Sequence, residues 1–430
     1  MQRRIRMVGG VLLATGFVAA VWYANKPAPP TPAPTYAHGV IDQPGYSSNG
    51  TLEHPSNTDI AQVQKVLDTR ARAIMSGNRS AFLGVVDSDD RAFLDHQRVV
   101  WANTRQLPIT HVDFSYEGTV EPDRTLHRPS FLAQVAQSYQ LRGFDDSPVQ
   151  VEDGFTFVKQ NGVWKLAGVS DADHSFGQHD LPVPWEGTAL QTYGDRSYLA
   201  VVDRGQLALA RRVVALCHRS RDAGRTLLGV TTRRPTVVFA TTDGAHGFKQ
   251  FTGPDAAAVT YGVRDGADRL VSWRMMIDPE HVKAIVDDPI VLPHELTHLA
   301  MQDYLRYLPP WLSEGSAEYV AWHPHGGLAE AEKVRGFHSS QPPAARLPIS
   351  SSFYLDHPTL NYLEGQALVT WLVEHRGPAT MRALYRGFTD AVSSGADPDV
   401  AADGVFRRVL HTTPTAVARA AYAELVAARS

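Results

Sequence analysis

His294-Glu295-Leu296-Thr297-His298 and Trp311-Leu312-Ser313-Glu314-Gly315-Ser316-Ala317-Glu318-Tyr319 are the two stretches whose reading decides the fold of this chain. His294 and His298 are four residues apart. On a helix that spacing stacks two side chains on one face, where two imidazoles can share one tetrahedral zinc ion. Glu295, beside the first imidazole, can face a water held at the pair. Ile290, Val291, Leu292, Leu296 and Leu299 supply apolar packing, and Pro289 or Pro293 fits the first helical turn, where a missing N–H costs little. After a short loop, 305–308, Pro309-Pro310 can start a second helix. Glu314 and Glu318 are again four apart on one face. One carboxylate can complete a two-histidine, one-glutamate ligand set that leaves the fourth position to water. The other can hydrogen-bond a ligating imidazole and fix its tautomer.

A third stretch, Asn361-Tyr362-Leu363-Glu364-Gly365-Gln366-Ala367-Leu368-Val369, reads as a helix whose Leu368, Val369, Leu372 and Val373 pack inward. Tyr362 is either a half-buried tyrosine on a core helix or a donor at the site. Tyr354 and His357, shortly before it, are weaker candidates. His323 and His325 lie among proline and glycine, which favours a surface turn.

His-Glu-x-x-His followed by Trp-Leu-Ser-Glu-Gly-x-Ala-Glu resembles the gluzincin superfamily of metallopeptidases. It looks closest to the peptidase MA-like group and more distantly similar to aminopeptidase N and thermolysin. The resemblance spans about 196–388. It implies zinc as cofactor, a peptide or protein substrate, Glu295 as the general base, Glu314 as the third ligand and Glu318 behind His294 or His298. It also implies that Tyr362, on a Tyr-x-x-Gly helix, donates to the oxyanion. The interval from His298 to Glu314, sixteen residues, is shorter than in thermolysin-like enzymes. Glu318, one turn later, fits their interval and is the alternative ligand. The Gly-x-Met-x-Asn loop of aminopeptidases is absent, which argues against anchoring a free substrate amine.

The rest of the chain sets limits. Its 430 residues exceed one ordinary core and imply two domains plus a leader. With 41 basic and 45 acidic residues, no strong field favours nucleic acid. The single cysteine, Cys217, rules out an intramolecular disulfide and a cysteine zinc site, and reads as a small buried apolar side chain. Arg3, Arg4 and Arg6 precede an apolar run at 7–24, which predicts a signal peptide or signal anchor over 1–25 and an extracytoplasmic location. Membrane contact is expected through that segment only. A Pro-rich and polar linker follows at 26–57.

Thr58 can cap a helix in which Ile60, Val63, Leu67, Ala71 and Ile74 recur at helical spacing up to Gly77. A short helix over 80–97 is expected next, then strands at 111–119, 130–141 and 149–169. Asn161-Gly162 in the last is a hairpin signal. Helix order and closing hairpin resemble the nuclear transport factor 2-like cone over about 58–172. No acid–base pair stands out there, and Asp87, Asp89, Asp90 and Asp95 read as solvated charges. A linker with His174 and His179 is expected at 173–195. A long helix over 198–228 and strands at 235–240, 256–263 and 270–277 then open a metallopeptidase-like domain, 196–430. Helices at 379–388 and 415–428 close it. The expected fold class is thus α+β: an N-terminal helix-plus-curved-antiparallel-sheet cone, then a zincin-like domain with a small sheet and a mainly helical C-terminal half. Two further functions compete with zinc-dependent peptide hydrolysis: a non-catalytic surface-anchored binding protein that uses the cone, and a zinc hydrolase of a non-peptide bond.

Overall fold

The computed structural model describes residues 55–120, 129–169, 183–230, 235–242, 257–335 and 344–427. The leader, the Pro-rich linker, His174 and His179 lie outside the described residues. Among the described residues no helix is long and apolar enough to cross a membrane.

Helix α1, Asn57–Ser76, begins at Ser56 rather than Thr58. Ser56 Oγ accepts from Asp59 N, and Asp59 Oδ2 accepts from Ser56 N at 3.1 Å. This reciprocal box satisfies two of the free N–H groups of the first turn, so the serine outcompetes Thr58. The helix ends at Gly77 with φ +71°, a left-handed cap that glycine adopts without strain. The single helix expected over 80–97 is two, α2 (Arg79–Gly84) and α3 (Arg91–Thr104). The break has a cause. Asp87 N donates to Leu166 O at 2.7 Å and Leu166 N to Val85 O at 2.9 Å, so this segment pairs with a strand instead of continuing the helix.

Strands β1 (Ile109–Val120), β2 (Ser130–Leu141), β3 (Val149–Gln160) and β4 (Val163–Val169) form an antiparallel sheet in sequence order. Asn161 and Gly162 both have positive φ, the geometry of the two-residue hairpin turn expected there. Irregular register at Tyr116/Gly118 and Thr156/Phe157 bends the strands. The concave side closes over α1, with Val63, Leu67, Ile74, Phe114, Phe131, Phe155, Phe157 and Trp164 in one core.

The second sheet has the order β5-β6-β7-β9-β8: Leu190–Gly194, Tyr198–Asp203, Thr236–Ala240, Leu270–Ile277 and Ala258–Arg264. Two expectations change here. Leu190–Gly194, read as connection, is an edge strand. Tyr198–Asp203, read as the start of a long helix, is an inner strand, and the helix α4 runs only over Leu207–Ala223, followed by a wider turn at Gly224–Leu228. Strands buried on both faces carry continuous apolar runs instead of alternation, and Leu199-Ala200-Val201-Val202 is such a run.

Alternation now sorts the sheet's two faces. Leu199, Val201, Val237, Phe239, Tyr261 and Met276 join the core of the cone. Ala200, Val202, Val238, Trp273, Met275 and Ile277 pack instead on α4, which holds buried Cys217, and on α5 (Val282–Asp287) and α6 (Val291–Ala300). A buried ion pair also joins the two sheets: Arg274 Nη2 on β9 lies 2.5 Å from Asp145 Oδ1 beyond β2. Helices α7 (Pro310–Trp322), α8 (Gly327–Arg335), α9 (Pro358–Arg376), α10 (Pro378–Ser393), α11 (Pro398–Leu410) and α12 (Pro414–Ala427) complete the chain. Of these, α8 and α11 were not expected. The protein is therefore α+β, with an antiparallel sheet first and a helical half last.

Candidate metal centre

Helix α6 is ten residues long and carries the first two candidate ligands. Asp288 Oδ1 accepts from Ile290 N at 2.7 Å and Val291 N at 3.1 Å, which satisfies the N–H groups where the helix starts. Pro293 is its third residue, where no intrahelical acceptor is lost. Leu292, Leu296 and Leu299 anchor it on the second sheet. Every residue of α7 is buried, so its polar side chains must find partners inside. Glu314 and Glu318 find them on α6.

His294 Nε2 and His298 Nε2 are 3.2 Å apart, and Glu314 Oε2 is 3.2 Å from each. All three side chains are buried, and this trio is a group able to hold a metal ion. The chemistry of the donor set fits a cation. His294 Nδ1 lies 3.0 Å from Glu318 Oε1, and a proton on that nitrogen leaves Nε2 with its lone pair. Three electron-rich atoms then converge on one point, which a metal ion relieves, or a proton in its place.

Charge points the same way. Glu295, Glu314 and Glu318 surround the imidazoles. Burial opposes charge on His294, yet Glu314 and Glu318 outweigh it and push the imidazole up to about 10. Burial also pushes the Glu318 carboxyl up, but Arg335 and His294 prevail and hold it at about 2. Glu314 is held below the usual carboxylate range, the imidazoles overriding its burial. Burial pushes Glu295 up to about 7.

The two acidic residues of α7 thus take different places. Glu314 joins the imidazole nitrogens. Glu318 stands behind His294, and its other oxygen accepts from Trp322 Nε1 at 2.9 Å and Arg335 Nη2 at 2.6 Å. Among the described residues, Glu295 Oε2 and Tyr362 OH are buried without a hydrogen-bond partner. The Tyr362 ring stands 6.2 Å from that of His294. The site therefore gathers His294, Glu295, His298, Glu314, Glu318 and Tyr362, while His357, a weaker candidate, is exposed. His323 and His325 form the exposed turn expected of them.

Three contributors were not anticipated in these roles. Tyr354 donates its hydroxyl to Glu314 Oε1 at 2.9 Å. Trp322 and Arg335 hold Glu318. Trp322 is one helical turn after Glu318, a spacing that carries a signal. Arg335 comes from α8 and Tyr354 from a turn, where no periodicity marks them. In the cone, Asp87 is fully buried against expectation, while Asp89, Asp90 and Asp95 are exposed.

Neither a family model nor a curated protein matches the chain, so the functional reading rests on the residues.

Proposed function

We propose that this chain is a zinc-dependent metallopeptidase of gluzincin type that works outside the cytoplasm. The observation that carries the reading is the convergence of His294 Nε2, His298 Nε2 and Glu314 Oε2 beside two buried, unpartnered groups, Glu295 Oε2 and Tyr362 OH. The spacing fits a tetrahedral ion such as zinc. Tetrahedral bonds of about 2.05 Å put neighbouring ligand atoms about 3.3 Å apart, close to the 3.2 Å found here.

Zinc in this site supplies a Lewis acid, which acidifies water and polarises a carbonyl. The chain's own groups do the rest. Glu295 takes a proton from the attacking water as its oxygen bonds to the scissile carbon, then passes a proton to the amine nitrogen as the C–N bond breaks. The Tyr362 hydroxyl donates to the carbonyl oxygen as negative charge grows there. Glu318 keeps the His294 proton on Nδ1 and the ring in place. An extended substrate needs a strand to pair with. Of the last two strands, β9 is paired on both sides, by β7 and β8. Strand β8 has one partner among the described strands and packs on α6, so it is the one that offers an edge. The extracytoplasmic setting rests on the basic-then-apolar leader of the sequence.

The test is hydrolysis of a mixed peptide set by the purified protein, before and after chelation and after zinc is restored. Zinc-dependent amide cleavage is expected. Cleavage that survives complete metal removal, or zinc-dependent cleavage of esters with no amide cleavage, contradicts the reading.

A further inference from the structure

We infer that Tyr354 is a positioning residue for the metal centre: its hydroxyl occupies Glu314 Oε1 and so keeps Glu314 a one-oxygen ligand. This rests on the proposed metal site and assigns a role to a residue outside the motifs that define it.

A carboxylate can bind a metal through one oxygen or two. Glu314 Oε2 lies on the two imidazole nitrogens, 3.2 Å from each. Its Oε1 receives the Tyr354 hydroxyl at 2.9 Å. A hydrogen bond to a carboxylate is charge-assisted and among the stronger kinds. That bond commits Oε1 to a donor outside the imidazole pair. With one oxygen committed, three protein ligands leave a fourth tetrahedral position open, which a hydrolytic site requires. With both oxygens bound, the carboxylate takes the room that water and substrate need.

The turn that carries Tyr354 is built to hold it there. Asn361, in the first turn of α9, donates its amide to Phe353 O at 2.6 Å and Asp356 O at 2.7 Å. These two bonds bracket Tyr354 in the chain. Phe353 is fully buried, 5.0 Å from the Tyr354 ring and 5.5 Å from the Tyr362 ring. The same helix start therefore fixes both tyrosines, and their hydroxyls divide the work. Tyr354 OH is committed to Glu314, while Tyr362 OH has no partner among the described residues and stays available. A merely structural tyrosine in a surface turn needs none of this. Its neighbour Leu355 is 80% exposed, so burial of the turn as a whole does not explain the inward aim of Tyr354.

The test uses the full chain, stripped of metal and titrated with cobalt(II), whose visible absorption reports coordination number. Wild-type protein should give the intense bands of a four-coordinate ion. Tyr354→Phe should weaken cobalt and zinc affinity about ten- to hundredfold and shift the bands toward the weaker five-coordinate pattern. Tyr362→Phe should leave both unchanged. Asn361→Ala, which keeps the hydroxyl and loosens the turn, should move both readouts in the Tyr354→Phe direction by less. Wild-type affinity and spectrum in Tyr354→Phe overturn the inference while the metal site stands. Failure of the wild-type protein to bind either ion overturns both.

Discussion

Gly315 and Gly365 stand back to back where α7 crosses α9. A Cβ built on Gly365 would lie 2.8 Å from Trp311 O and 3.3 Å from Gly315 Cα, and one on Gly315 would clash with the Gly365 carbonyl. Only two glycines let these backbones approach so closely. The contact joins the helix of Glu314 and Glu318 to the helix of Tyr362, so the crossing sets how far Glu314 stands from the Tyr362 hydroxyl.

Gly315→Ala should therefore act on both fold and site. Forcing a methyl into this contact should cost about 1–3 kcal/mol, as overpacking does, and should lower zinc retention because Glu314 is the preceding residue. Urea denaturation and metal analysis on the same sample check it. An unchanged midpoint would mean that the helices separate freely.

Glu314→Ala and Glu318→Ala should be separable by metal content. The first removes an atom of the ligand trio and should strip zinc almost completely. The second removes the support of His294 and should weaken binding about ten- to hundredfold. Competition with a chelator of known affinity ranks them. The reverse ranking would make Glu318 the ligand and contradict the 3.2 Å trio.

Asp145→Ala should destabilise the protein by about 3–5 kcal/mol, because it leaves Arg274 charged, buried and unpaired. The pair joins the cone to β9, so the loss should appear as one shifted unfolding transition. Calorimetry distinguishes this from a change confined to one half.

Stability should also carry a pH signature from Glu364. Its carboxyl is buried on α9 and pushed up to about 7 by that burial, against the opposing pull of Tyr422 and Arg346. Between its ordinary value, 4.5, and about 7, the folded chain keeps a proton that the unfolded chain releases. Stability from this group is thus full below 4.5 and lost as pH rises through about 7. Glu364→Gln should flatten that decline in a melting series from pH 5 to 8. An equal slope in both proteins would contradict the assignment.

The candidate metal motif was legible because helical spacing maps directly onto a face. Four-residue intervals put His294 above His298 and Glu314 above Glu318, and an Asn-Gly pair marked the β3–β4 hairpin. Other features left weaker traces. Tyr198–Asp203 looked helical because a strand buried on both faces has no alternation to display. Asp87 looked solvated because its burial comes from pairing with β4, a long-range contact. The choice between Glu314 and Glu318 lies in how α7 packs on α6, which loop length alone does not fix. Tyr354 comes from a turn, and its role depends on where Asn361 folds that turn.

The most direct test of the central claim is zinc content and peptide hydrolysis measured on the same preparations of wild-type and Glu295→Gln protein. The amide keeps the side chain's size but cannot carry the proton. The account predicts zinc at the wild-type level and hydrolysis lowered at least about a hundredfold. Wild-type hydrolysis in Glu295→Gln, or a wild-type protein that holds no zinc, would contradict it.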